Sequence, residues 1–266
     1  MIDDYYNYLL TEPGSNTVTE SQAELIVNTL LKENVLTISE IKTCREAIND
    51  ISDVNKQRNY YVQLQYKVPY YNQRDNTSIQ DEPGSVIPIG HRAADVMCNL
   101  TSEAGALSTL GIVNPNPQRQ YEDNLENIKR EQKSSRQTPK ARAYIAEKLG
   151  ATMEHHAFKQ PTKDSYKNKL LPLLERGYGV ITSFGAHIVR IVGVTEDGLI
   201  VNDPYGKLVD FEKRATTRSD TYLSPDKNSK TSSNTSDGGQ KGNQNLWSWS
   251  VLEKYPLAYY ELYYKK

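Results

Sequence analysis

The sequence lacks the features of a disulfide-stabilised, exported or membrane-spanning protein. Its 266 residues include two cysteines, Cys44 and Cys98, which are too few for a disulfide framework and fit a reducing compartment. No apolar run approaches the roughly 20 residues that a bilayer-spanning helix needs. The N-terminus, starting with residues 1–5, lacks the basic region and the apolar region of a secretory signal. We therefore expect cytoplasmic synthesis, no membrane insertion, and release only by lysis or through an injection apparatus.

An excess of charge of either sign is also missing. The chain has 32 basic and 33 acidic residues, a net charge of −1, so no overall field attracts polyanions and we expect no nucleic-acid partner. The adjacent His155 and His156 have only Glu154 beside them as a further ligand type, which favours surface residues over a metal site. We expect neither a metal nor a cofactor.

Residues 1–58 are predicted to form a small helical segment. Apolar residues recur at helical spacing after Thr19, where 19–22 resembles a capping box, and again after Ser39. Cys44 falls on the apolar face of the second helix and is interpreted as a core thiol. Two roles stay open for this segment. It is either a module that docks a partner or positions substrate, or it only packs on the main domain.

Residues 59–266 are predicted to form one α+β domain, because helices come first and a meander of strands follows. Residues 60–68 alternate at period two, which predicts a strand. Residues 72–89 and 114–139 have the polar composition of loops. Residues 224–245 contain no aliphatic or aromatic side chain and predict a mobile polar loop. Helices are predicted from Cys98, over 139–149 and 165–175, and at a capping box over 250–253. Further strands are predicted over 180–183, 187–194, 199–202 and 259–264.

Cys98 is the candidate nucleophile. It opens a helical stretch that Gly111 ends. A thiol at a helix N-terminus lies at the positive end of the helix dipole, which favours the reactive thiolate. By itself this position is weak evidence, because small buried cysteines are common.

His187 and Asp203 are the candidate partners of that thiol. His187 begins an otherwise apolar strand, and Asp203 ends the strand that returns after the turn at 196–198. Both side chains are therefore expected near one end of a single hairpin. A carboxylate there accepts a hydrogen bond from the imidazole, fixes its tautomer and stabilises its cation. Gln73, in the polar loop upstream, is a candidate donor to an oxyanion.

The order Gln, Cys, His, Asp resembles that of papain-like cysteine peptidases. The local sequence is most similar to the bacteriocin-leader-processing, double-glycine-peptidase-like branch. The segments that carry this resemblance are Val68-Pro69-Tyr70 with Gln73, and the segments 98–102, 185–187 and 202–206. The resemblance implies a papain-like fold with the nucleophile's helix on an antiparallel sheet. It also implies thiolate attack on a carbonyl carbon and an acyl-enzyme that water hydrolyses.

A cysteine hydrolase that cleaves a peptide or isopeptide amide is therefore our first hypothesis, with Cys98 as nucleophile, His187 as base and acid, Asp203 as orienter and Gln73 as oxyanion donor. Two substrate classes stay open: protein or a leader peptide, and cell-wall peptide cross-links, as for a bacterial or phage-type lysin or an injected antibacterial effector. A transglutaminase-like transamidase is a third alternative. A non-catalytic binding module that retains the fold is the rival from another class.

Overall fold

The computed structural model describes residues 18–75, 96–132, 134–159, 161–217, 222–225 and 240–266. Most of the predicted loops at 72–89 and 224–245 therefore lie outside the described residues. Within the described part, no helix is both long and apolar enough to cross a membrane.

From residue 18 onward, where the described structure begins, the N-terminal part contains three helices: α1 (Glu20–Leu30), α2 (Ile38–Asn49) and α3 (Val54–Gln65). The predicted capping box is confirmed, because the Thr19 side chain accepts from the backbone of Gln22 and the Gln22 side chain accepts from the backbone of Thr19. The apolar faces of the three helices meet in one core cluster that includes Cys44, which is fully buried. Burial raises the pKa of the Cys44 thiol to about 12, so this cysteine is a core residue.

The predicted strand over 60–68 is wrong, because α3 occupies most of it. Asp53 caps that helix by accepting from the backbone N–H groups of Asn55 and Lys56. Its buried Tyr61 and Leu64 face the core of α1 and α2. The short apolar pattern fits both the period of a helix and that of a strand, and tertiary packing selects the helix. The division of the chain at residue 58 stays a prediction, and α3 runs across it.

Arg45 connects the N-terminal helices to the rest of the fold. Its Nη1 donates to the backbone oxygen of Thr109 at 3.1 Å and to that of Gly177 at 2.6 Å. The Gln65 side chain likewise donates to the oxygen of Tyr178 at 2.9 Å. These bonds satisfy the carbonyl at the end of one helix of the main domain and two carbonyls in the turn that follows another helix, so the N-terminal helices are built into the fold.

Six further α-helices lie in the described part of the main domain: α4 (Cys98–Thr109), α5 (Tyr121–Arg130), α6 (Pro139–Lys148), α7 (Lys163–Leu174), α8 (Phe211–Thr217) and α9 (Trp249–Lys254). The prediction of loop structure over 114–139 is wrong in its middle, where α5 buries Tyr121 and Leu125. The capping box predicted at 250–253 is also wrong. Ser248 is the N-cap of α9, and its side chain makes no capping bond.

A six-stranded antiparallel sheet forms the centre of the main domain, in the order β1-β8-β2-β3-β4-β7. These strands are β1 (Thr152–Ala157), β2 (Gly179–Phe184), β3 (His187–Val194), β4 (Gly198–Asn202), β7 (Asn245–Ser248) and β8 (Tyr259–Tyr264). β5 (Gly206–Leu208) and β6 (Tyr222–Pro225) pair separately. The predicted α+β class and papain-like fold are thus confirmed, and β1 and β7 are the sheet strands that periodicity missed.

Both faces of the sheet are covered. On one face α4 packs against β2 and β3 through a cluster that includes Ile181 and Ile188; on the other face Val180 and Val189 join a cluster with α7. Successive side chains of a strand point to opposite faces, which explains this division. Gly179 permits the close approach of α4, since a Cβ there would overlap the backbone of Ala106. This contact sets the C-terminal half of α4 against the sheet, and the Ser102 hydroxyl, which donates to the oxygen of Ile188, holds the start of α4 near the start of β3.

Candidate active site

Cys98 is the first residue of α4, and several contacts hold it in place. The backbone oxygen of Val96 accepts two bonds from the buried guanidinium of Arg136, at 3.3 and 3.1 Å. The Ser102 hydroxyl, one turn further along α4, donates to the oxygen of Ile188 at 3.0 Å. The thiol is partly exposed and accepts from the backbone N–H of Ile188. The nucleophile's helix is therefore attached directly to β3.

His187 is placed by a two-residue hairpin turn between β2 and β3. Gly185 and Ala186 have φ values of 53° and 65°, the left-handed conformation that a type I′ turn needs at both central positions. Phe184 and His187 pair across this turn. His187 is thus the first residue of β3, buried, and hydrogen-bonded to Cys98.

Asp203 follows β4 and completes the arrangement. Its Oδ1 lies 2.7 Å from Nε2 of His187 and accepts from the backbone N–H of Tyr205 at 3.0 Å. The Tyr70 hydroxyl donates to the backbone oxygen of Asp203 at 2.6 Å, and the backbone N–H of Asp203 donates to the oxygen of Gly242 at 2.8 Å. Because Nε2 faces the carboxylate, Nδ1 is the ring nitrogen that serves the thiol.

The electrostatics favour a thiolate–imidazolium pair. Burial by itself raises the pKa of Cys98, but the charge and hydrogen bond of His187, the N–H of Ile188 and the charge of Arg214 lower it below its usual value. Burial by itself lowers the pKa of His187, but the carboxylate of Asp203 and the thiolate raise it well above its usual value. A buried imidazole with a carboxylate on one side and a thiol on the other therefore favours transfer of the thiol proton to the ring.

A cleft of about 420 Å³ opens over the thiol. Its lining includes Cys98, His187 and Gln73, so the structure brings these residues together, with Asp203 buried directly behind the imidazole. Gln73 is 1% exposed, and its backbone N–H donates to the oxygen of Pro204 at 2.9 Å. The glutamine is therefore anchored to the turn that carries Asp203.

Some cleft residues were missed by the sequence reasoning. Tyr205 lies edge-on to the His187 ring at 6.5 Å, and its own ring lies 4.6 Å from the guanidinium carbon of Arg74. Its place two residues after Asp203 was the available clue. Tyr259 and Arg214 also line the cleft, but they come from β8 and α8, and no local pattern connects them with Cys98.

The alternative features of the sequence have structural roles. His155 bonds Oε1 of Glu261 at 2.9 Å, and His156 bonds Glu154 at 3.0 Å. Among the described residues no group of three or more His, Cys, Asp or Glu is arranged to hold a metal ion. Trp247 is buried against Phe184 and Phe211, at ring distances of 5.4 Å each.

A helix that begins with cysteine, packed on an antiparallel sheet that presents a histidine and an aspartate, defines the class of papain-like cysteine peptidases. A comparison with protein-family models matches residues 65–229 to the Peptidase_C39 like family. The match covers more than half of the chain, which therefore belongs to this family and is a cysteine peptidase hydrolase. Neither the search of curated proteins nor that of solved structures gave a match.

Proposed function

We propose that this protein cleaves a peptide or isopeptide amide with Cys98 as the nucleophile. The observation that carries the proposal is the continuous arrangement of Cys98 and His187 at the cleft with Asp203 buried behind them, with 2.7 Å between Nε2 and the carboxylate. The thiolate attacks the carbonyl carbon, and the imidazolium protonates the leaving amine. Water, deprotonated by the imidazole, then hydrolyses the thioester and regenerates the thiol.

Gln73 is the proposed side-chain donor to the oxyanion, together with the backbone N–H of Cys98. Donors that are fixed before the charge develops stabilise the tetrahedral intermediate best. The burial of Gln73 and its backbone bond to Pro204 support this role, because they fix the residue at the cleft.

The substrate class is tested with two assays run in parallel. A peptide assay uses casein and a synthetic peptide with a double-glycine site. A turbidity assay uses purified peptidoglycan. We expect cleavage in the peptide assay, and clearance of peptidoglycan instead would assign the enzyme to cell-wall cross-links.

Cys44 provides a matched control for the nucleophile. Cys98→Ala is expected to lower the rate at least a thousandfold, whereas Cys44→Ala, which changes a cysteine of the N-terminal core, is expected to retain the rate. Mass spectrometry of the wild type with a slow ester substrate is expected to show an acyl adduct on the peptide that contains Cys98. If Cys98→Ala keeps the wild-type rate on a cleaved substrate, the proposed nucleophile is wrong.

A further inference from the structure

Arg190 is a buried cation on β3, apart from the Cys98 cleft. Its side chain is 2% exposed, and Nη2 donates to the backbone oxygen and to Oε1 of Gln65, at 3.0 and 2.9 Å. Nε and Nη1 are buried and have no hydrogen-bond partner among the described residues. Arg190 packs over Gly105, where a Cβ would lie 2.9 Å from its Cδ.

No described carboxylate compensates this charge. The contrast with Arg142 is clear, because that equally buried guanidinium forms a two-bond pair with Glu261, at 2.6 and 2.5 Å. Burial lowers the pKa of Arg190 to about 9, which still leaves the group cationic at pH 7. A buried cation without a counter-charge is strongly unfavourable, so the counter-charge is expected from solvent.

A small cavity lies beside this guanidinium. Its walls are formed by eight residues: Pro69, Tyr71, Thr101, Ser102, Gly105, Arg190, Asn202 and Pro204. The Oγ1 of Thr101 is also buried without a partner among the described residues. The hydroxyls of Ser102 and Tyr71 are already engaged, with the oxygen of Ile188 and with Ser108. The groups left unmatched are therefore two nitrogens of a cation, Nε and Nη1, and one hydroxyl.

We propose that this cavity binds a small monovalent anion such as chloride, held by Arg190 and Thr101. Three hydrogen-bond donors and a positive charge match a small anion, whereas a water molecule would leave the charge uncompensated. The cavity has a volume of about 10 Å³, on the scale of a single water molecule or small ion and too small for carboxylates and phosphates. The site is distinct from the cleft, whose lining shares no residue with it.

The anion joins segments that carry the active site. Thr101 lies one turn after Cys98 on α4, and Asn202 and Pro204 flank Asp203. The bound ion therefore stabilises the relative positions of these segments, and its removal loosens them. The expected effect is on folding stability first, so it is measured on the protein without substrate, independently of whether the proposed peptidase activity exists.

The test compares thermal unfolding in sodium chloride and in sodium gluconate at equal ionic strength, because gluconate is too large for the cavity. The wild type is expected to show a saturable rise in Tm with chloride, of about 3–6 °C when chloride is tenfold above its Kd. Thr101→Val keeps the side-chain shape and removes one donor, so the half-saturating chloride concentration is expected to rise about tenfold. The exposed Arg176→Met is the control and retains the response, whereas Arg190→Met loses it.

Bromide gives a second measurement on the wild type alone. An anomalous-scattering peak in the cavity of a crystal grown in bromide supports the site. Equal Tm values in chloride and gluconate overturn the proposal, as does an unchanged half-saturation in Thr101→Val or a cavity that holds water without an anomalous peak.

Discussion

Replacing Glu103 with glutamine tests whether the helix of the nucleophile contains a protonated carboxyl group. Glu103 lies in the middle of α4 and is 0% exposed, and both of its oxygens are buried without a partner among the described residues. Burial raises its pKa well above the usual value, a shift that Arg142 opposes and Glu261 adds to. We therefore expect the folded protein to hold Glu103 neutral at pH 7.

The sign and size of the effect follow from proton linkage. A carboxyl group whose pKa is raised on folding contributes full stability below its unfolded pKa, and this contribution is lost as the pH rises through the folded pKa. Between the unfolded pKa and the folded pKa, the free energy of unfolding falls by about 1.4 kcal/mol for each pH unit. If Glu103 stays neutral up to pH 7, the wild type loses about 2.5 kcal/mol between pH 5 and pH 7 that Glu103→Gln does not lose.

Denaturant and thermal unfolding at a series of pH values measure this difference. The Tm of Glu103→Gln relative to the wild type is expected to rise by about 5–10 °C between pH 5 and pH 7. Exposed Glu46 is the control, and Glu46→Gln should show no such trend. A Tm difference that stays constant with pH, or that moves against Glu103→Gln as the pH rises, would mean that Glu103 is ionised in the fold, and the reasoning from burial would be refuted.

Three further predictions concern the site and its support. Asp203→Asn removes the charge that stabilises the imidazolium, so kcat is expected to fall about 10²–10⁴-fold and alkylation of Cys98 by iodoacetamide to shift to higher pH; an unchanged alkylation profile would contradict this. Gln73→Ala is expected to lower kcat about 10²–10³-fold without changing that alkylation, and a normal kcat would exclude the oxyanion role. Arg142→Met removes the two guanidinium bonds of the fully buried Glu261 and leaves it with His155, so the free energy of unfolding is expected to fall by about 3–5 kcal/mol; a double variant with Glu261→Met should recover most of this loss in denaturant titrations.

The hairpin of the candidate site was predictable because its pattern is local. An apolar strand begins at His187, a turn follows, and the returning strand ends beside Asp203, so sequence spacing alone places both side chains at one end. The start of α4 at Cys98 was predictable for the same reason, since a helical pattern ended by glycine needs no tertiary information.

The missed elements depend on distant parts of the chain. α3 has a pattern that fits strand and helix equally, and the apolar faces of α1 and α2 select the helix. α5 has the composition of a loop because its polar face includes a salt bridge between Lys129 and Glu126, at 2.7 Å, which other elements bury. The spacing of residues along the sequence shows neither the packing of α3 on α1 and α2 nor the burial of this salt bridge of α5.

The position of β8 has a consequence for biosynthesis. β8 lies between β1 and β2 in the sheet, yet it leaves the ribosome after Cys98, His187 and Asp203. At usual synthesis rates the roughly 70 residues after His187 take about 4–14 s. Until then β2 lacks its neighbour on the β8 side and the cleft lacks its wall at Tyr259, so a nascent chain contains every candidate catalytic side chain before the cleft is complete. Completion of the sheet beside β2, and of the cleft wall at Tyr259, therefore waits until residues 259–264 have been synthesised.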